Sequence, residues 1–129
     1  MQIQQIKEIC LYTDNLEATR VFYSETLGFS IISEVANRHI FFRVGEAVLL
    51  FFNPEMTREE KTLPPHYAVG PQHLAFQVDL CDYKDWKEKL QQKKVEIIHE
   101  QFWKEGLYSF YFRDPVGNVL EIVPPGIWE

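Results

Sequence analysis

A chain of 129 residues and 15.3 kDa has room for one ordinary domain. With 46% apolar and 15% aromatic residues it can bury a core, which excludes an intrinsically disordered chain. Thirteen Lys and Arg against nineteen Asp and Glu leave a net charge of -6, so there is no basic field to collect nucleic acid or anionic lipid. The longest run free of charged side chains, Thr62 to Val78, contains Pro64, Pro65 and Pro71 and cannot span a bilayer. The start, MQIQQIKE, lacks the apolar stretch of a signal peptide, and Cys10 and Cys81 show no C-x-x-C spacing, which fits reduced thiols. The expectation is a soluble cytoplasmic protein with neither nucleic acid nor membrane as a partner.

In chain order, Lys7 to Thr13 alternates as a half-buried strand, with Glu8, Cys10 and Tyr12 on one face and Ile9 and Leu11 on the other. Asp14 followed by Glu17 reads as a capping box; Leu16, Phe22, Tyr23 and Leu27 form one helical stripe, and Gly28 ends it. Strands are expected over Phe29 to Val35, Arg38 to Val44 and Ala47 to Asn53, with turns at Ala36-Asn37 and Gly45-Glu46. Pro54 onward shows no periodicity and reads as a connector. A strand over Gln72 to Asp79 and a helix over Asp82 to Lys94 follow. Three more strands then come at Val95 to Phe102, Leu107 to Arg113 and Asn118 to Val123.

The chain therefore reads β-α-β-β-β twice, and a shift of 65 residues carries Glu8-Ile9-Cys10-Leu11-Tyr12-Thr13-Asp14 onto His73-Leu74-Ala75-Phe76-Gln77-Val78-Asp79. Module one is residues 1–53, the connector 54–71 and module two 72–129. The fold class is α+β, with the two tandem modules forming a curled mixed sheet around a shared cavity.

If helices cover the face of Ile9, Leu11, Leu74 and Phe76, then Glu8 and His73 line the opposite, cavity-facing side. Glu121 joins them, on a strand whose same-face neighbours are Val119 and Val123. A carboxylate among apolar side chains needs a partner, and one His with two carboxylates is a donor set for a divalent cation. Asp114-Pro115-Val116-Gly117, just before that strand, has the residues of a type I turn, which Arg113 helps to hold. His39, Phe41 and Arg43 share a strand face, where His39 and Arg43 are substrate-binding candidates, Arg43 for an anionic group. Tyr12, on the Glu8 face, and Trp103, at a hairpin tip read as Trp103-Lys104-Glu105-Gly106, are further candidates for the substrate wall. His99 reads as a surface residue and Cys10 as a small core thiol.

Three segments, LYTDNLEATRVFYSETLGF, GPQHLAFQVD and SFYFRDPVGNVLEIV, together resemble the vicinal oxygen chelate superfamily of glyoxalase I, bleomycin-resistance proteins, fosfomycin-resistance thiol transferases and extradiol dioxygenases. The resemblance covers almost the whole chain and implies a single domain over residues 1–129. It also implies metal ligands at Glu8, His73 and Glu121. The fourth ligand of glyoxalase I has no counterpart in Ala47-Val48-Leu49-Leu50-Phe51-Phe52, so a standard glyoxalase I is not expected. Glu8 stands where three-ligand relatives usually carry His, making the set more anionic. Mn, Fe, Zn and Ni are the candidate metals, with oxygen-rich ligation favouring Mn2+, Fe2+ or Mg2+.

Tyr111 precedes Glu121 by ten residues, the spacing of an active-site Tyr in extradiol dioxygenases. It is read either as an acid or hydrogen-bond donor to substrate or as a packing aromatic. Those enzymes' assisting histidine has no counterpart, since His66 does not match its spacing. Glu121 or a bound water is read as the proton-moving group. The resemblance thus implies a metal-dependent lyase, isomerase, thiol transferase or dioxygenase acting on a substrate that chelates through neighbouring oxygens. The alternative is a metal-free protein that sequesters a drug-like ligand, as bleomycin-resistance proteins do. Either form is expected to be a homodimer, from the resemblance and from the exposed sheet edges of two modules.

Overall fold

The computed structural model describes residues 1–129. The chain folds as two units, Met1–Gly70 and Pro71–Glu129. Each carries one four-stranded mixed sheet, so the twofold β-α-β-β-β reading holds.

In the first unit, β1 (Glu8–Tyr12) lies parallel to β4 (Ala47–Phe52), and β3 (His39–Val44) and β2 (Ser30–Val35) follow antiparallel, in the order β1-β4-β3-β2. Helix α1 (Leu16–Val21) covers the face of Leu11, Ile40, Phe42, Leu49 and Phe51 together with the turn after it. Tyr23, fully buried, sits 4.6 Å from the Phe51 ring and 5.6 Å from Phe42. The helix starts one residue later than its expected cap. Asn15, not Asp14, accepts the Ala18 N–H on its side-chain oxygen at 3.0 Å, and Thr13 Oγ1 accepts the Asn15 N–H. The cap must lie three residues before a free N–H, and from Asn15 that donor is Ala18. Past Val21 the helix widens to a π turn over Phe22–Thr26, where Leu27 N–H reaches the Phe22 carbonyl. It stops at Gly28, whose φ of 80° suits a residue without a Cβ.

The connector is less irregular than its composition suggests. It opens with a single helical turn, α2 (Pro54–Thr57), capped by Asn53 and started by Pro54, which needs no N–H there. Thr57 then donates to the His66 carbonyl, and Arg38 pairs with Glu60 at 3.2 Å, tying the segment to β3.

The second unit repeats the pattern with the order β5-β8-β7-β6, where β5 is His73–Gln77, β6 His99–Lys104, β7 Leu107–Arg113 and β8 Val119–Val123. A short 3-10 turn, Leu80–Asp82, leads into α3 (Tyr83–Gln92), which covers the face of Phe110, Phe112, Leu120 and Ile122, all nearly or fully buried. The expected strand from Val95 starts only at His99. Lys94 turns left-handed (φ 65°) and Val95 N–H is used to close the helix on the Leu90 carbonyl, so those residues are spent on termination.

The turn before β8 is built by one side chain. Buried Asp114 accepts the N–H groups of Val116 (3.0 Å) and Asn118 (2.9 Å) and the Asn118 side-chain amide (2.8 Å). Asn118 in turn accepts the Gln72 N–H at 2.9 Å, which sets the start of β8 against the start of β5. Arg113 donates to the Gly117 carbonyl at 3.3 Å, the turn-holding role expected of it.

Candidate functional site

The parallel pairing of first and last strands has the same register in both units: Glu8 opposes Val48 and Cys10 opposes Leu50, as His73 opposes Val119 and Ala75 opposes Glu121. Leu50 therefore occupies in module one the place that Glu121 holds in module two. The strand whose sequence offers no fourth ligand places an apolar side chain at that register.

In the second unit three of the expected site residues meet on the face away from α3. His73 donates from Nδ1 to the Val119 carbonyl at 2.9 Å, which leaves the Nε2 lone pair directed at Glu121 Oε2, 3.2 Å away. Two acceptors at that separation require a shared proton or a cation between them. A backbone carbonyl fixing one ring nitrogen while the other points at a carboxylate is the arrangement that prepares a histidine for metal. Glu121 is only 5% exposed, and its Oε1 has no hydrogen-bond partner at all. A buried acceptor in that state costs about 1–3 kcal/mol, and a cation would satisfy it.

Tyr111 lies directly across the ladder from Glu121, its ring stacked 5.9 Å from His73. Burial first, then the hydrogen bond and negative charge of Glu121, push its phenol above the ordinary value, so at neutral pH it is a proton donor. Trp103 reaches the same side of the sheet, donating its indole N–H to the buried Ser109 hydroxyl at 2.8 Å. It stands within β6 and not at the hairpin tip. The turn is Glu105-Gly106, where Gly106 takes φ 77°, and the strand slips register between Phe102 and Lys104.

The other expected residues belong to the first unit. Glu8 is exposed at the start of β1, with Cys10 and Tyr12 half-buried on the same face. Burial first, then contact with Cys10, pushes the Tyr12 phenol up to about 12. Burial also raises the Cys10 thiol, with the Glu8 charge adding to it, so this cysteine stays protonated. Arg43 is exposed and makes no ion pair. His39 is buried, its ring stacked 4.0 Å from Phe41, and both ring nitrogens are engaged. Arg38 can only donate, so Nδ1 accepts from it and Nε2–H donates to Ser33 Oγ at 3.0 Å. Within neither unit do three or more His, Cys, Asp or Glu side chains gather into a complete metal centre.

Burial first, then the Arg38 charge, lower the His39 pKa from the ordinary 6.5. The unfolded chain thus takes up a proton that the folded chain refuses, and stability falls as pH drops below the unfolded value. We expect urea unfolding followed from about pH 7.5 to pH 5 to show this loss in the wild type, and His39→Gln to remove that component.

Two residues that bear on the site had no reading of this kind in the sequence. Asn118 shows its part only once β5 and β8 are paired, since its partner Gln72 is 46 residues away. His99 opposes Tyr111 across β6 and β7, a pairing hidden by the register slip.

The sequence matches the Glyoxalase/Bleomycin resistance protein/Dioxygenase superfamily over residues 5–122. Among curated relatives it is 24% identical over 123 residues to Metallothiol transferase FosB of Staphylococcus epidermidis, covering 95% of this chain and 82% of the other. It is 27% identical over 126 residues to Uncharacterized protein YaeR of Escherichia coli, covering 93% and 95%. Among solved structures, a lactoylglutathione lyase from Agrobacterium tumefaciens superimposes with a TM-score of 0.94 at 30% identity, covering 99% of this chain and 98% of that one.

Proposed function

Because the chain belongs to the Glyoxalase/Bleomycin resistance protein/Dioxygenase superfamily, we propose that it is a divalent-metal-dependent enzyme acting on a small molecule that chelates through neighbouring oxygens. The observation that carries this reading is the second-unit pair: a histidine with its tautomer set by a backbone carbonyl, facing a buried carboxylate with one oxygen unsatisfied. Glu8 at the repeat-related position of His73 supplies the third ligand. Leu50 at the Glu121 register offers no ligand, which supports a proposed set of three protein ligands with coordination places left for substrate. Glu8, His73 and Glu121 would hold Mn, Fe, Zn or Ni, and such an ion supplies Lewis-acid stabilisation of a developing oxyanion.

The remaining roles belong to the protein. Tyr111 keeps its phenol proton, directed at Glu121, and donates it to a bound substrate oxygen when substrate arrives. Tyr12 and Trp103 form substrate wall, and exposed Arg43 is the group available to an anionic substituent. His39 is the remaining substrate-binding candidate, its ring stacked on Phe41 and both nitrogens engaged by Arg38 and Ser33. No helix is long and apolar enough to cross a membrane; the reading is of a homodimeric cytoplasmic enzyme. The names of two relatives, one a thiol transferase and one a lyase of a glutathione adduct, make thiol addition and thiol adducts the first reactions to screen.

Elemental analysis of protein purified without chelator or affinity metal tests the reading. About one equivalent of metal per chain is expected in the wild type, and none in a Glu8→Ala, His73→Ala double variant. Equal metal content in the two, or no uptake on titration with Mn2+, Fe2+ or Zn2+, would overturn it in favour of a ligand-sequestering protein.

A further inference from the structure

His99 stands in the row of the second sheet that contains Glu121 and Tyr111, opposite Tyr111 across the ladder, with the two rings 5.7 Å apart. The Tyr111 ring therefore lies between two imidazoles, His73 on one side and His99 on the other. His99 is exposed, so nothing in its packing demands a histidine. Its tautomer is nevertheless set. The Gln101 amide donates to the Phe102 carbonyl at 2.9 Å, which turns the Gln101 oxygen to His99. That oxygen is 3.0 Å from His99 Nε2 and accepts only, so the ring proton is on Nε2 and Nδ1 keeps a free lone pair.

Tyr111 is a donor, and Glu121, with Oε2 facing His73 and Oε1 unpaired, would be taken up as a ligand in the proposed metal-bound site, which leaves His99 Nδ1 as the acceptor beside it. We infer that His99, oriented by Gln101, is the proton acceptor for a substrate that reaches the site with an acidic O–H beside its chelating oxygen. In that step the substrate O–H bond breaks, the N–H bond forms at His99 Nδ1, and the electron pair stays on the substrate oxygen. The imidazolium so formed is within the 6 Å over which the Tyr111 ring attracts a cation. This inference rests on the proposed metal-dependent reading and adds the substrate's protonation state to it: the substrate arrives with its O–H proton in place and is ionised in the site.

The test uses 15N-histidine protein, whose four histidines are resolved by single substitutions, with Zn2+ and acetohydroxamic acid, a small hydroxyl-bearing chelator, as probes. Without additions, His99 is expected as the Nε2–H tautomer, and Gln101→Leu should turn it into a tautomer mixture. Zn2+ should move the His73 ring resonances. Acetohydroxamic acid added next should carry the His99 Nδ1 resonance toward the protonated range. His99→Gln, at an exposed position, should bind Zn2+ as the wild type does and acetohydroxamic acid ~tenfold more weakly. If zinc moves His73 while acetohydroxamic acid leaves His99 unmoved, or binds the His99→Gln protein equally well, the inference is overturned and the metal reading stands. If zinc leaves His73 unmoved, the metal reading fails and the inference falls with it.

Discussion

Glu121→Leu is expected to make the metal-free protein more stable by about 1–2 kcal/mol while abolishing its response to metal. The carboxylate is 5% exposed, has Val119 and Val123 as its same-face neighbours on β8, and leaves Oε1 with no partner. Leucine of similar volume removes that unsatisfied acceptor, and His73, half-exposed, can turn its Nε2 to water. In the wild type, a divalent cation at about 100 times its dissociation constant should add about 2.7 kcal/mol to the unfolding free energy, and in the variant nothing. Urea unfolding with and without Mn2+ measures both quantities. A metal-free variant destabilised by more than about 1 kcal/mol would instead mean that the carboxylate is held for structure by His73 and Tyr111.

The second large effect is expected at Asp114. Its side chain accepts three hydrogen bonds within the turn and fixes Asn118, which holds the Gln72 N–H. Asp114→Ala leaves the buried donors of Asn118 and the part-buried N–H of Val116 unpaired and should cost roughly 3–4 kcal/mol, read as a lower urea midpoint at unchanged slope. Asp114→Asn keeps one acceptor oxygen but sets an amide against the Asn118 amide, and about half that loss is expected. Metal uptake should fall along with stability in Asp114→Ala. The strand start that Asn118 positions carries Val119, whose carbonyl aims the His73 ring. A loss of stability with full metal uptake would separate the turn from the site.

Much of this arrangement was legible in the sequence because sheets translate position into face with a period of two. The match of Glu8 to His73 reappears as identical parallel registers, and Leu107–Arg113 coincides with its expected strand. His73, Tyr111 and Glu121 meet because alternation alone put them on one side of their strands. What was not legible depends on events that a fixed period cannot register. The slip between Phe102 and Lys104 moved Trp103 into the strand and brought His99 opposite Tyr111. The choice of Asn15 over Asp14 as cap turned on one residue of helix phase, to which both side chains are chemically suited. The single turn of α2 is too short to show a helical period at all.

The pairing of first strand with last also has a kinetic consequence. In each unit the opening strand finds its parallel neighbour only in the closing one, so that His73 and Val119 meet across 46 residues. The hairpins β2-β3 and β6-β7 are local and can form early, whereas closure of each module waits for its most distant contact. Folding should therefore be slow for a chain of this size, and in module two the last event is the one that brings His73 to Glu121. During synthesis on the ribosome, β1 remains an unpaired edge until β4 has emerged, a period in which its Ile9 and Leu11 are open to mispairing.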